Sequence, residues 1–212
     1  MDDARFRALH ALRVKGMTSA AVAAAVVAAP EAEIAAALDD LGAEGLVRHR
    51  SGGRIEGWSL TKDGKAAHAE LVAGSVDPTA RTVLEQAYED FLPLNGEFKT
   101  VCHAWQTRGD GDTPNDHTDA AHDEAVVARL GAVDERAGAV LSGVGAALDR
   151  MSAYRPRLAA ALERVRAGER SAFTAPMQDS YHDIWMELHQ DLILSLGRTR
   201  NTADEGASPR EH

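Results

Sequence analysis

The side chains capable of chemistry concentrate in the second half of the chain. They are His103 and Trp105, then Asn115, Asp116, His117 and His122, then Tyr181, His182, Asp183, Trp185, Glu187 and His189. Metal ligation from one helix needs donors three or four residues apart, whereas His182 and His189 stand seven apart, about 10 Å along a helix axis. His117 and His122 can converge with Asp116 at a helix start, but that spacing matches no recognised metal motif, and no metal is expected. Nucleophilic catalysis has less support. Cys102 precedes His103, yet adjacent helical residues point apart and do not meet side chain to side chain. No glycine-rich phosphate loop, nucleophile elbow or zinc-protease motif is present, so no catalytic residue, no enzyme activity and no cofactor are expected. Binding remains. Tyr181, Ile184, Trp185, Leu188 and Leu192 form an apolar stripe flanked by His182 and His189, and His103 and Trp105 can face it from another helix. A pocket using His103, Trp105, His117, His122, Tyr181, His182, Trp185 and His189 would suit a small, partly apolar or anionic effector. The competing reading makes the same aromatics core fillers among alanines.

A second group is cationic. Arg48, Arg50 and Arg54 fall within seven residues around Ser51-Gly52-Gly53, and Lys62 follows a few residues later. Guanidinium groups beside a glycine turn suit phosphates or a minor groove, and these four residues are the expected DNA contacts. The neighbouring segment argues the other way. Between Glu31 and Glu44 the outer positions are Glu31, Glu33, Asp39 and Asp40, with no lysine or arginine. Carboxylates repel phosphates and cannot make the common contacts to guanine, so base readout from this segment is not expected.

These groups must be carried by a recognisable set of elements. Phe6, Leu9 and Leu12 alternate with Arg5, Arg7 and Arg13, which predicts a helix over 4–14 that Gly16 ends. Thr18, with Ser19 as the alternative cap, opens a short Ala/Val helix. Ile34, Leu38 and Leu41 give the next helix, 31–44, one buried stripe. Val47-Arg48-His49-Arg50 and Gly57-Trp58-Ser59-Leu60 read as a hairpin, with one or both of Trp58 and Leu60 packing inward on a helix that starts near Asp63. Gly74 to Pro78 punctuates the chain. Beyond it the pattern is helical: 79–92 stopped by Pro93, 97–107, about 118–151, 155–166 and 173–196. The glycine- and aspartate-rich loop 108–116 resembles a calcium loop in composition but lacks the glutamate spacing of one. The polar segment 198–212 is expected to be a disordered tail.

Composition sets the bounds. The 212 residues carry a net charge of −10, which disfavours broad non-specific nucleic-acid binding while leaving room for a local basic patch. Aromatics are scarce at 5%, so the cores must be built from Ala, Val and Leu. A single cysteine excludes an internal disulfide, no apolar run is long enough to cross a bilayer, and Met1-Asp2-Asp3 is unlike a signal peptide. A cytoplasmic protein that does not engage a membrane is expected.

The order helix, tight turn, helix, Glu44-Gly45-Leu46-Val47 followed by basic residues, glycine turn, strand and Leu60-Thr61 with Gly64 resembles the MarR-type winged helix-turn-helix families over about residues 4–74. Phe91-Leu92-Pro93-Leu94-Asn95, Val101 to Gln106, Asn115-Asp116-His117 and Asp179 to His189 together resemble a helical region of actinobacterial winged-helix proteins, some associated with phosphoenolpyruvate-utilising enzymes. The expected fold is mainly α with a small β-hairpin wing. An N-terminal winged helix-turn-helix (1–74) would precede a C-terminal bundle of four or five helices (79–197) serving dimerisation and ligand binding. The implied function is a ligand-responsive bacterial transcriptional regulator, a homodimer on double-stranded DNA with a small-molecule effector. The alternative is a protein-interaction or accessory module for a phosphoenolpyruvate-utilising enzyme.

Overall fold

The computed structural model describes residues 4–52, 56–109 and 113–198. The chain is mainly helical with a small antiparallel hairpin near its start. Arg54 and the tail 199–212 lie outside the described residues.

Helix α1 (Ala4–Lys15) buries Phe6, Leu9 and Leu12, and Gly16 ends it at a φ of 86° that an L side chain resists. Ser19, rather than Thr18, caps α2 (Ala20–Val26), its Oγ accepting from Val22 N at 3.3 Å. Thr18 is committed elsewhere: its backbone exchanges two hydrogen bonds with Trp58, adding a one-residue bridge to the hairpin. Pro30 opens α3 (Glu31–Ala43), which buries Ile34, Leu38 and Leu41 as the spacing predicts.

Strands β1 (Val47–Arg50) and β2 (Gly57–Leu60) pair antiparallel, Val47 with Leu60 and Arg50 with Gly57. Thr61 then caps α4 (Lys62–Ser75). Its hydroxyl accepts from Gly64 N and donates to the Leu46 carbonyl, both at 3.0 Å. Of the two inward-facing residues of β2, Leu60 lies against α4, its Cδ2 3.3 Å from a Cβ built on Gly64, while Trp58 lies against α3, where a Cβ on Gly42 would stand 3.1 Å from the indole. The glycine on α3 is what gives the ring its place. These elements share one core, including Leu9, Leu12, Ala23, Val26, Ile34, Leu38, Leu41 and Val47.

A second, separate core begins at Val76. Asp77 caps α5 (Pro78–Gln106), accepting from Ala80 N at 2.8 Å. Pro93 does not stop this helix. It lies inside α5, which continues through it and buries Phe91, Leu94, Asn95 and Phe98 on one face. An interior proline costs about 3 kcal/mol, which burial of two phenylalanines and a leucine offsets at about 1.5–3 kcal/mol each. The chain then makes a two-residue pairing of β3 (Thr107–Arg108) with β4 (Thr113–Pro114). Asp119 caps α6 (Ala120–Ala147), which packs along α5. A 3-10 turn at Asp149–Ala153 leads into α7 (Tyr154–Arg166).

The single helix expected over 173–196 is two. Pro176 and the left-handed backbones of Met177 (φ 62°) and Asp179 (φ 48°) separate α8 (Ser171–Thr174) from α9 (Tyr181–Ser195), and Ser180 caps the latter. Helix α9 runs antiparallel to α5 through an aromatic ladder: Phe98 meets Tyr181 and Trp185, and Phe91 meets Trp185 and His189. Among the described residues no single helix is long and apolar enough to cross a membrane.

Candidate functional site

The hairpin presents its cations outward because only Val47 of β1 faces the first core. Arg48, His49 and Arg50 are exposed. Arg48 Nε donates to Ser59 Oγ across the strands at 3.4 Å, and the His49 ring tilts on Trp58 at 4.9 Å. Lys62 is exposed at the start of α4. Among the described residues no carboxylate pairs with Arg48, Arg50 or Lys62, so their charge is available to an anion. Helix α3 beside them shows the opposite sign: Glu31, Glu33, Asp39 and Asp40 are all exposed and unpaired among the described residues. The direction of the chain changes by 115° between α2 and α3 across residues 27–30.

The most unusual cluster lies where α1 and α4 meet α9, and it was not foreseen from the sequence. His10 Nδ1 is 3.0 Å from His68 Nε2, and His10 Nε2 is 3.0 Å from Asp191 Oδ2. Asp191 also accepts from Tyr154 Oη at 3.1 Å and from Ser195 Oγ at 3.0 Å, while Arg150 Nη2 lies 3.5 Å from it and donates to Ser195 Oγ at 2.6 Å. His10, His68, Asp191 and Ser195 are each no more than 2% exposed. Phe6 closes the cluster, stacked on His68 with the Arg150 guanidinium 5.6 Å over its ring.

Burial pushes the Asp191 carboxyl up, but the charges of His10 and Arg150 and the hydrogen bonds to it outweigh this and hold it below the usual carboxylate range. Burial, reinforced by neighbouring His10, pushes His68 down to about 3. Burial and the adjacent Asp191 charge push the Tyr154 phenol up, so it donates and does not ionise. The groups of this cluster face one another and are closed off from solvent, as in a structural joint.

A second ionic ring continues along the same seam. Lys15 Nζ donates to Glu187 at 2.6 Å and Asp179 at 2.9 Å, and Arg157 donates to the same two carboxylates at 2.8 and 3.1 Å. Burial opposes the Lys15 charge, but Glu187 and Asp179 raise its pKa overall. Against this ring opens a cleft of about 320 Å³ lined by Val14, Lys15, His182, Met186, Glu187 and the exposed Met177.

The eight residues expected to line one pocket are divided among different places. Tyr181, Trp185 and His189 are core: Tyr181 Oη donates to Asp134, Trp185 Nε1 donates to Asn95 Oδ1 at 3.0 Å, and the His189 ring rests on Tyr88 and Phe91. The polar atoms of Tyr181 and Trp185 face buried partners, so these side chains fill core rather than line a pocket. His182 alone of that group lines the cleft, stacked on Phe98.

Trp105, His117 and His122 gather at the far end of α5. His117 tilts on Trp105 at 4.5 Å, its Nδ1 is 3.0 Å from Asp123, and His122 Nε2 is 2.9 Å from the Ala104 carbonyl. His117 adopts a φ of 60°, fixed by Asn115 Oδ1 accepting from its N–H and by Arg170 donating to its carbonyl. His103 is half-buried, its carbonyl accepting from Thr107 Oγ1. Burial pushes the Cys102 thiol up to about 12, which removes the thiolate a nucleophile needs. Among the described residues no group of three His, Cys, Asp or Glu side chains is arranged to hold a metal ion.

No family model, no curated protein and no solved structure matches the chain.

Proposed function

We propose that the chain is a DNA-binding transcriptional regulator of winged helix-turn-helix type, with the hairpin as its DNA contact. The observation that carries this reading is geometric. Two helices set at 115° across a four-residue turn fall within the range of helix-turn-helix units. They lead directly into a hairpin whose outward side chains are unpaired arginines. Arg48, Arg50, Arg54 and Lys62 are assigned to phosphates or a minor groove, and α3, with its four outward carboxylates, is not assigned to base readout. The resemblance to MarR-type proteins supports the same assignment. A homodimer would set two hairpins on a pseudo-palindromic site. The cleft around His182 is the favoured effector site because it touches both α1 and α9 and so spans the two cores. The reading is non-catalytic and cytoplasmic.

A gel shift on the DNA upstream of the chain's own coding region tests it, with excess competitor DNA and the variant Arg48→Ala/Arg50→Ala/Arg54→Ala. A specific shift lost in the variant supports the reading. No shift at low salt sinks it.

One observation favours a second reading. Glu33, Asp40 and Glu44 rim a groove of about 690 Å³ between α1 and α3, floored by Ala36, Ala37 and Leu41. Arg5 already occupies one end, paired with Glu44. Such a groove suits a basic helix, as in an accessory module for another enzyme, and loss of partner binding on Glu33→Gln/Asp40→Asn with DNA binding absent would select it.

A further inference from the structure

We propose that the joint between α1, α4 and α9 is a proton-operated latch that frees the N-terminal unit from the helical C-terminal unit under mild acid, with both units still folded. Its basis is where the burial lies. The two units have separate apolar cores, and neither core cluster includes residues of the other. What joins them is largely polar, packed around the buried Phe6 ring: His10, His68, Asp191, Arg150, Tyr154 and Ser195, then Lys15, Arg157, Glu187 and Asp179. A polar seam between independently cored units is the kind that separates, whereas a shared apolar core would not.

The tautomers explain why a proton acts as the key. The hydrogen between His10 Nδ1 and His68 Nε2 belongs to one ring or the other, and His10 Nε2 faces Asp191 Oδ2 at 3.0 Å. While His10 Nδ1 carries that hydrogen, His68 Nε2 must be its bare acceptor, so His68 cannot become an imidazolium. Both rings cannot be doubly protonated, because the two nitrogens facing each other across 3.0 Å would then both carry hydrogens. Arg13 and Arg150 add further positive charge around His68, and Asp191 is the one carboxylate among its main charged neighbours. Opening exposes His68 to water, where it takes up a proton readily.

The sign is set by linkage. The closed state holds His68 down to about 3, and the open state restores its ordinary 6.5. Protons therefore bind the open state better throughout that window, and the closed state loses ground as pH falls below 6.5. Between pH 7.5 and pH 5 the opening equilibrium rises about thirtyfold from this group alone. The latch belongs to the fold and does not rest on what the hairpin binds.

Thiol protection reads it in the full chain. Ser195→Cys places a second thiol in the joint, while native Cys102, buried in the second core, reports global unfolding. Alkylation mapped by mass spectrometry, corrected for thiolate content with a free peptide, gives each opening constant. The introduced thiol should react about thirtyfold faster at pH 5 than at pH 7.5. Cys102 should not follow, and adding His68→Gln should flatten the rise to within about twofold. Equal acceleration of both thiols, no acceleration, or an unchanged rise with His68→Gln overturns the latch. Imidazole NMR of the wild-type chain supplies a check independent of that substitution: His68 titrating near 6.5 in the closed protein overturns it as well. No arm uses DNA, so failure here and failure of the regulator reading are distinct.

Discussion

Asp191 is the residue on which the seam depends most. Its carboxylate collects two hydroxyl donors, an imidazole and a guanidinium, all buried. Replacing it by alanine leaves Arg150 without its counter-charge and His10 Nε2 without the carboxylate it faces, and loss of one partner from a buried pair costs about 3–5 kcal/mol. Asp191→Ala should lower the urea midpoint accordingly, while a loss under about 1 kcal/mol would show that the cluster is solvated. The acid limb of stability follows from the same residue. The folded state holds its pKa below the ordinary carboxylate value, so its contribution is full above that value and disappears as pH falls toward the folded pKa. Neither partner was legible in the sequence. His10 sits in a helix whose visible pattern is apolar and basic, and Asp191 follows the apolar stripe of α9 among Leu188 and Leu192. What could have pointed to them is their position on the buried faces, His10 one turn from Phe6 and Asp191 one turn from Leu188. Their contact spans 181 residues along the chain, and periodicity carries no information across that distance. The outward carboxylates of α3, by contrast, could be read directly, because solvation of a helix face is a local property.

At the scale of elements, local signals found most helices, and tertiary burial corrected the rest. Pro93 marks a break by its own chemistry, yet it lies on the exposed side of α5, and the opposite face with Phe91 and Phe98 buries enough apolar surface to hold the helix together. Pro176 behaves as its chemistry predicts, because the backbone around it turns left-handed at Met177 and Asp179 before Ser180 restarts the helix. The aromatic stripe of α9 was correctly seen as a stripe. Whether it faces a cavity or a core depends on α5 filling the space, which no spacing can tell. The hairpin also depends on a close approach: a Cβ on Gly64 would stand 1.9 Å from the Leu46 carbonyl oxygen, where only glycine fits. Gly64→Ala must therefore push α4 away from the strand. It should cost about 3 kcal/mol, the upper part of the overpacking range, measured by thermal unfolding. A change below about 0.5 kcal/mol would mean that the hairpin is free to shift.

The whole molecule combines a net charge of −10 with an arginine-bearing hairpin, and that contrast frames the functional account. An acidic body suppresses indiscriminate binding, so under the proposed function DNA affinity would come from the few cations that face outward. Contacts of that kind have a measurable character: each phosphate neutralised contributes about 0.9 to the slope of log K against log salt. The most direct measurement is fluorescence anisotropy of the chain on its own upstream DNA across a salt series, beside Arg48→Ala/Arg50→Ala/Arg54→Ala. The account predicts salt-dependent, sequence-specific binding by the wild type and a slope smaller by about 2 to 3 in the variant. Binding with the same slope in both proteins, or none at low salt, would contradict the assignment of DNA to the hairpin and leave the acidic α3 groove as the working surface.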